Sequence, residues 1–317
     1  MNIDRRLISI VIPSYNESLN VDSFYHDLKK VLSTDSKHNY ELLYVDDGSL
    51  DDTVPKLQGL ASKDKTVRVL ALSRNFGKEI ATSAGLQYAR GDAVLMIDAD
   101  GQHPTELIPE FIQKWENGAQ VVTGIRQSNQ KEGPVKRYGS KLFHKLSDNL
   151  TGTRSIPGAT DFRLIDKVVQ TEFVRMTEHN RITRGLIDWI GFKQDIVYFR
   201  ANARMAGEAG YDYSKLLYLA LNSFISLSLK PLYFTFYVGL IVLPLSILIG
   251  LFSVTEMLIG DPLQLHITGT AYLVILVLFL LGLVLISQGV TALYLSHIHT
   301  ETQNRPLFVA DMRKSRL

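Results

Sequence analysis

The sequence predicts an α/β protein: a mostly parallel sheet with helices on its faces, followed by an interfacial helix and two C-terminal membrane-spanning helices. Three observations carry this. Four β-rich apolar runs recur at near-regular spacing, helical patterns fill the intervals between them, and charge almost vanishes from a long C-terminal stretch.

The runs are LISIVIP (7–13), ELLYVDD (41–47), VRVLAL (67–72) and AVLMID (93–98), whose starts lie 34, 26 and 26 residues apart. The segments Ser18 to Ser33 and Lys78 to Arg90 read as helices between them, the second ended by Gly91. Strands alternating with helices make parallel sheets, and parallel sheets bind ligands at the carboxyl ends of their strands. The polar residues gather there: Pro13 to Glu17, Asp46 to Ser49, Ser73 to Asn75, and Asp98 to Asp100. They form one rim of one sheet.

Between Pro231 and Thr300 the only charged side chains are Glu256 and Asp261, so the other 64 of the 66 charges fall in the remaining 247 residues. Spans are expected at about 232–254 and 271–295, each long enough to cross a bilayer. The intervening loop carries no Lys or Arg, whereas Lys230, Arg305, Arg313, Lys314 and Arg316 flank the pair. The positive-inside rule then puts the large domain and both ends in the cytoplasm, and the expected location is the plasma (inner) membrane. Residues 213–230 read as a helix lying on the membrane surface. The expected organisation is a domain over 1–212, the interfacial helix, a membrane hairpin over 231–298 and a tail over 299–317.

With no cysteine, disulfides, thiolate nucleophiles and Cys-ligated metals are excluded. A net charge of +2 gives no reason to expect nucleic acid. The first strand is followed by no GxGxxG, and no GxxxxGK[ST] occurs, which removes support for dinucleotide and P-loop chemistry. The N-terminal apolar run is too short for a signal peptide.

Asp98-Ala99-Asp100 ends a buried run, and two carboxylates there can share a divalent cation that holds a diphosphate, with Gln102 as a further oxygen ligand. His103 reads as a surface residue ahead of a helix start at Pro104. Asp46-Asp47-Gly48-Ser49 fits either a capped turn or a nucleobase and ribose contact, and Tyr15 offers a stacking face. Arg74 and Lys78 flank a helix start, where cations and free N–H groups suit phosphate, or they form surface ion pairs.

VIPSYNE (11–17), VDDGSLDDT (45–53), LSRNFGKEIATSAG (72–85), GDAVLMIDADGQHP (91–104) and DFRL (161–164), in this order, resemble the family 2 glycosyltransferases. The subgroup is the polyprenyl-phosphate enzymes, which include the dolichyl-phosphate mannose synthases and bactoprenol glucosyltransferases. The resemblance implies a GT-A fold and an inverting transfer of one sugar from a nucleotide sugar, UDP-glucose or UDP-N-acetylglucosamine before GDP-mannose, to a polyprenyl (undecaprenyl) phosphate with Mg²⁺ or Mn²⁺. It also implies a homo-oligomer, often a tetramer. Carried over by position, Pro13, Tyr15, Glu17, Asp46, Lys78 and Asp98 hold the nucleotide sugar. Asp98, Asp100 and Gln102 hold the metal. Asp100 and Asp161 are catalytic, and Arg126, Arg137 and Arg204 receive the acceptor phosphate. A phosphate monoester is already mostly dianionic at pH 7, so Asp161 is expected to position the acceptor rather than remove a proton. The pattern departs at Gly207-Glu208-Ala209-Gly210-Tyr211, where relatives carry a GESKY-like segment. The processive QxxRW motif is missing, since the only tryptophans are Trp115 and Trp189. A hydroxyl-lipid acceptor and a catalytically silent membrane partner are the rival readings.

Overall fold

A computed structural model describes residues 5–127, 158–179, 181–201 and 269–317, with isolated helical positions between 237 and 259. The chain divides into two compact units, Met1–Tyr211 with Arg305–Leu317, and Asp212–Asn304.

In the first unit the elements run β1 (Leu7–Ser14), α1 (Val21–Leu32), β2 (Asn39–Asp46), α2 (Thr53–Lys63), β3 (Val67–Ala71), α3 (Lys78–Tyr88), β4 (Ala93–Met96), α4 (Ile108–Glu116), β5 (Val121–Arg126), β6 (Ala159–Asp166), α5 (Lys167–Arg175), α6 (Thr183–Ile190) and β7 (Gln194–Phe199). All four predicted apolar runs are strands. The helix expected to end at Gly91 stops at Tyr88, because Ala89 is already extended. The seven strands form one sheet in the order β3-β2-β1-β4-β6-β5-β7. Pairings β1/β2, β1/β4, β2/β3 and β5/β7 are parallel, and only β6 runs against its neighbours β4 and β5. The fold is thus a mixed, mostly parallel α/β sheet.

The two-residue period of the strands divides their side chains between two cores. Ile8, Ile10, Ile12, Leu42 and Tyr44 face α1 and α4, which bury Phe24, Leu28, Phe111 and Trp115. Val11, Leu43, Val45 and Leu70 face α3, α5 and α6, which bury Ala81, Ala84, Phe173 and Ile187. Helix α3 packs unusually close. A Cβ on Gly85 would lie 2.2 Å from Val11 Cγ1, so only glycine fits there.

The tail expected over 299–317 belongs, from Arg305 onward, to the sheet's own unit. It pairs antiparallel with the outer edge of β3 at Val69/Arg316 and Leu72/Ala310. Val69 and Arg316 exchange N–H···O bonds of 2.7 Å, the Ser73 N–H donates to Val309 O at 2.8 Å, and the Ala71 N–H donates to Ser315 Oγ at 3.0 Å. A sheet edge that would otherwise be open is covered.

In the second unit α7 (Gly269–Thr302) contains the one helix among the described residues long and apolar enough to cross a membrane, Phe279–Thr302. Its apolar side chains are exposed, Ile286 at 64 % and Leu295 at 60 %, unlike those of a soluble core helix. The expected second span, 271–295, lies within α7. The interfacial helix (213–230) lies outside the described residues, and so does most of the first span (232–254). Two spans are therefore not established.

Candidate active site

The strand ends build the site. After β1 the chain turns at Asn16, a non-glycine residue at φ 54°. This turn is clasped to the loop after β2: the Asn16 N–H donates to Ser49 Oγ, the Leu50 N–H to Asn16 Oδ1, each at 2.9 Å, and the Glu17 N–H to Thr53 Oγ1 at 2.9 Å. Gly48, at φ 70°, lets the loop after β3 pass so close that a Cβ would sit 2.4 Å from Arg74 C. Three rim loops are locked together.

They enclose a cleft of about 430 Å³. Pro13, Tyr15 and Glu17 line it from β1, and Lys78 from the start of α3. Asp98, Asp100 and Gln102 line it from the end of β4. Tyr15 is 42 % exposed, which leaves a ring face open. Asp46 stands behind the wall: its Oδ2 accepts the Gly48 and Ser49 N–H groups at 3.1 Å, and its buried Oδ1 has no partner among the described residues. The neighbour Asp47 lines the cleft instead, accepting the Phe76 and Gly77 N–H groups at 2.7 and 2.9 Å. Burial pushes the carboxyls of both Asp46 and Asp47 above the usual range.

Asp161 reaches the same rim because β6 is antiparallel. Met96 pairs with Arg163, and the same register continued by two residues sets Asp161 opposite Asp98. Lys78 joins them, its Nζ 2.7 Å from Asp98 Oδ1 and 3.1 Å from Asp161 Oδ2. Burial pushes the Lys78 ammonium down, but the two carboxylates outweigh it and hold the charge firmly in place. Burial likewise pushes Asp161 up, but Lys78 and then Arg184 outweigh it and hold this carboxyl below its ordinary value. A carboxylate so stabilised is a weaker base than a free one.

His103 is not the surface residue its polar neighbours suggested. It is 7 % exposed, stacked on Phe162 at 5.1 Å and edge-on to Phe199. Burial lowers its pKa, which keeps the ring neutral, and Nδ1 faces the Asp98 N–H at 3.4 Å.

Arg126 ends β5 at this rim and is exposed, whereas Arg137 and Arg204 lie outside the described residues. Sequence reasoning missed Arg163, Arg184 and Glu79. Arg163, 1 % exposed, pairs with Asp188 at 2.7 Å, and the Glu79 carboxylate accepts the Thr183 N–H at 2.8 Å, fastening α6 to α3. The alternation in Asp161-Phe162-Arg163, which puts Asp161 and Arg163 on one face, was the available signal for the first.

Asp98, Asp100 and Gln102 offer hard oxygen donors on one wall, the donor type that Mg²⁺ or Mn²⁺ takes. The acidic rim already holds one cation, the Lys78 ammonium, between two carboxylates. These residues fit a divalent ion.

The family model described as glycosyl transferase family 2 matches residues 9–171. An uncharacterized glycosyltransferase of Synechocystis is 39 % identical over 95 % of this chain and 94 % of its own. The SfII prophage-derived bactoprenol glucosyl transferase of Shigella flexneri is 35 % identical over 95 % of this chain and 96 % of its own. Among solved structures, mannosyl-3-phosphoglycerate synthase from Rubrobacter xylanophilus aligns with a TM-score of 0.49 at 20 % identity, over 68 % of this chain and 71 % of that one.

Proposed function

We propose, for a chain that belongs to glycosyl transferase family 2, the transfer of one hexose from a UDP-sugar to the phosphate of a membrane-held polyprenyl lipid. The observation that carries it is the Lys78 ammonium held between Asp98 and Asp161 at the carboxyl rim of the sheet, with Asp100 lining the same cleft. Relatives named bactoprenol glucosyl transferase, matched over nearly their full length, support glucose and a polyprenyl phosphate as the two substrates.

In this reading Tyr15 offers its open ring to the nucleobase, and the Asp47-braced loop presents Lys78 to the diphosphate. A divalent ion on Asp98, Asp100 and Gln102 would offset the charge that develops on the departing diphosphate. The acceptor's phosphate oxygen forms a bond to the anomeric carbon as the bond to the diphosphate breaks, and one displacement inverts that centre. Asp161 orients the acceptor and keeps Lys78 in register. The lipid cannot leave the bilayer, so we place the rim at the cytoplasmic membrane face and assign the hairpin to anchoring. The basic stretches 126–141 and 151–160 would line the acceptor's path, and nearly all of both lies outside the described residues.

The test incubates the full chain with Mg²⁺ or Mn²⁺, undecaprenyl phosphate and a panel of nucleotide sugars, and weighs the lipid product. A product heavier by one hexosyl group (or N-acetylhexosaminyl group, for that donor) is expected. Transfer to diacylglycerol instead of the lipid phosphate would refute the acceptor, and donor binding with no transfer to any lipid would refute the activity.

A further inference from the structure

We infer that Arg184 binds the phosphate of the lipid acceptor, an inference that rests on the function proposed above. The cations on and beside α3, β6 and α6 divide by what they already hold. Lys78 is taken by Asp98 and Asp161. Arg163 is buried and spends its guanidinium on Asp188 at 2.7 Å and Thr160 O at 3.1 Å. Arg181, 7 % exposed, donates to Glu178 O and Met176 O and lies over the Phe173 ring at 5.0 Å. Arg184 is exposed, and its side chain has no hydrogen bond or ion pair among the described residues.

Its backbone, by contrast, is held on three sides. The preceding Thr183 N–H donates to Glu79, the neighbour of Lys78, at 2.8 Å. Arg163 Nη1 approaches Arg184 O at 3.4 Å, and Leu186 and Ile187 anchor α6 in the core. A fixed backbone carrying an uncommitted guanidinium suits recognition of a ligand that arrives from outside. The Arg163 contact sets Arg184 beside β6, two residues along the strand from Asp161, and its charge helps to hold the Asp161 carboxyl down.

Which substrate it meets follows from the shape of the cleft. The donor cleft is walled by Lys78 and Asp98, and neither Asp161 nor Arg184 lines it. Arg184 therefore stands outside the donor cleft, near the Asp161 to which the proposed function gives the acceptor. A guanidinium grips a phosphate dianion through two parallel N–H···O bonds, and a neutral hydroxyl lipid offers it no such partner.

The experiment uses the full chain in nanodiscs with undecaprenyl phosphate and the UDP-sugar that the wild type accepts. Arg184→Gln is expected to raise the KM for the lipid phosphate about 10- to 100-fold, the span of a charge-assisted hydrogen bond. Donor affinity, followed by titration, and thermal stability should change by less than about twofold and about 2 °C respectively, since the side chain has no described partner to lose. Arg184→Lys, which keeps the charge and loses the fork, should recover part of the loss. An unchanged acceptor KM in Arg184→Gln, or an equal loss of donor affinity, overturns the inference while the proposed function stands. If the wild type transfers no sugar to the lipid phosphate, the function fails first and this inference falls with it.

Discussion

Replacing Asp188 by Ala should unfold the catalytic domain more readily than any surface substitution near the rim. The perturbation strands a charge: Arg163 is 1 % exposed, and Asp188 faces it with both oxygens, at 2.7 and 3.4 Å. Among the described residues the guanidinium would keep Thr160 O at 3.1 Å and Arg184 O at 3.4 Å, and neither carries a negative charge. Removing one partner of a buried pair costs about 3–5 kcal/mol, because the other is left charged and dry. For a domain of this size each kcal/mol moves Tm by about 2–4 °C, so a fall of about 6–20 °C is expected. Differential scanning fluorimetry of the full chain in detergent measures it. The double variant Arg163→Met with Asp188→Leu should recover most of the loss, since apolar residues of similar volume often replace a buried pair without cost. A fall of less than about 3 °C for Asp188→Ala would refute the reasoning, because it would mean that water already solvates Arg163.

Lys78→Met removes the cation between Asp98 and Asp161, and two facing carboxylates then repel. Affinity for the UDP-sugar, read by titration, should fall at least about tenfold, and the Asp161 carboxyl should titrate higher than in the wild type. Ser315→Ala leaves the buried Ala71 N–H without its partner and should cost about 1–3 kcal/mol, seen as a lower Tm with unchanged donor affinity. Asp35→Asn probes acid stability. Burial would raise this carboxyl, but hydrogen bonds from Tyr40, His38 and the Lys37 N–H outweigh it and hold it at about 2. The folded value lies below the unfolded one, so the stabilisation is complete above about pH 4 and is lost as pH falls towards 2. The Tm gap between wild type and Asp35→Asn should therefore narrow over that interval.

The parallel half of the sheet was legible because β1 to β4 are apolar runs bounded by turn residues, and the rim followed from their ends. What escaped has a common physical origin. Strand β6 reads ATDFRLID, with three charged residues in eight, and its Arg163 is buried only because α6 supplies Asp188 across 25 residues of chain. His103 sits among polar neighbours in sequence, yet Phe162 and Phe199, from strands far along the chain, build an aromatic shelf over it. The tail carries Arg313, Lys314 and Arg316, which suggest solvent, while its paired residues are too few and too scattered to read as a strand. At Asp46 and Asp47 one carboxylate caps its own loop, while the next lines the cleft and ties down the loop before α3. Local pattern reports local structure, and each missed feature depends on a partner distant in sequence.

That dependence explains why the site needs both a close helix and a reversed strand. Asp98 belongs to a strand end that any parallel sheet would offer, but Asp161 arrives opposite it only because β6 runs backwards. A parallel β6 would carry that carboxylate to the other end of the sheet. Lys78 must then span both, and its reach is set by where α3 begins. Small residues at Ala81, Ala84 and Gly85 let α3 sink onto β1 and β2, with no room for even a methyl group against Val11. A larger residue at Gly85 would lift the helix and draw Lys78 away from Asp161, where the contact is already 3.1 Å. Displacements of about 1 Å can cost a hundredfold in rate, so under the proposed function the glycine in TSAG should matter to turnover as well as to the core.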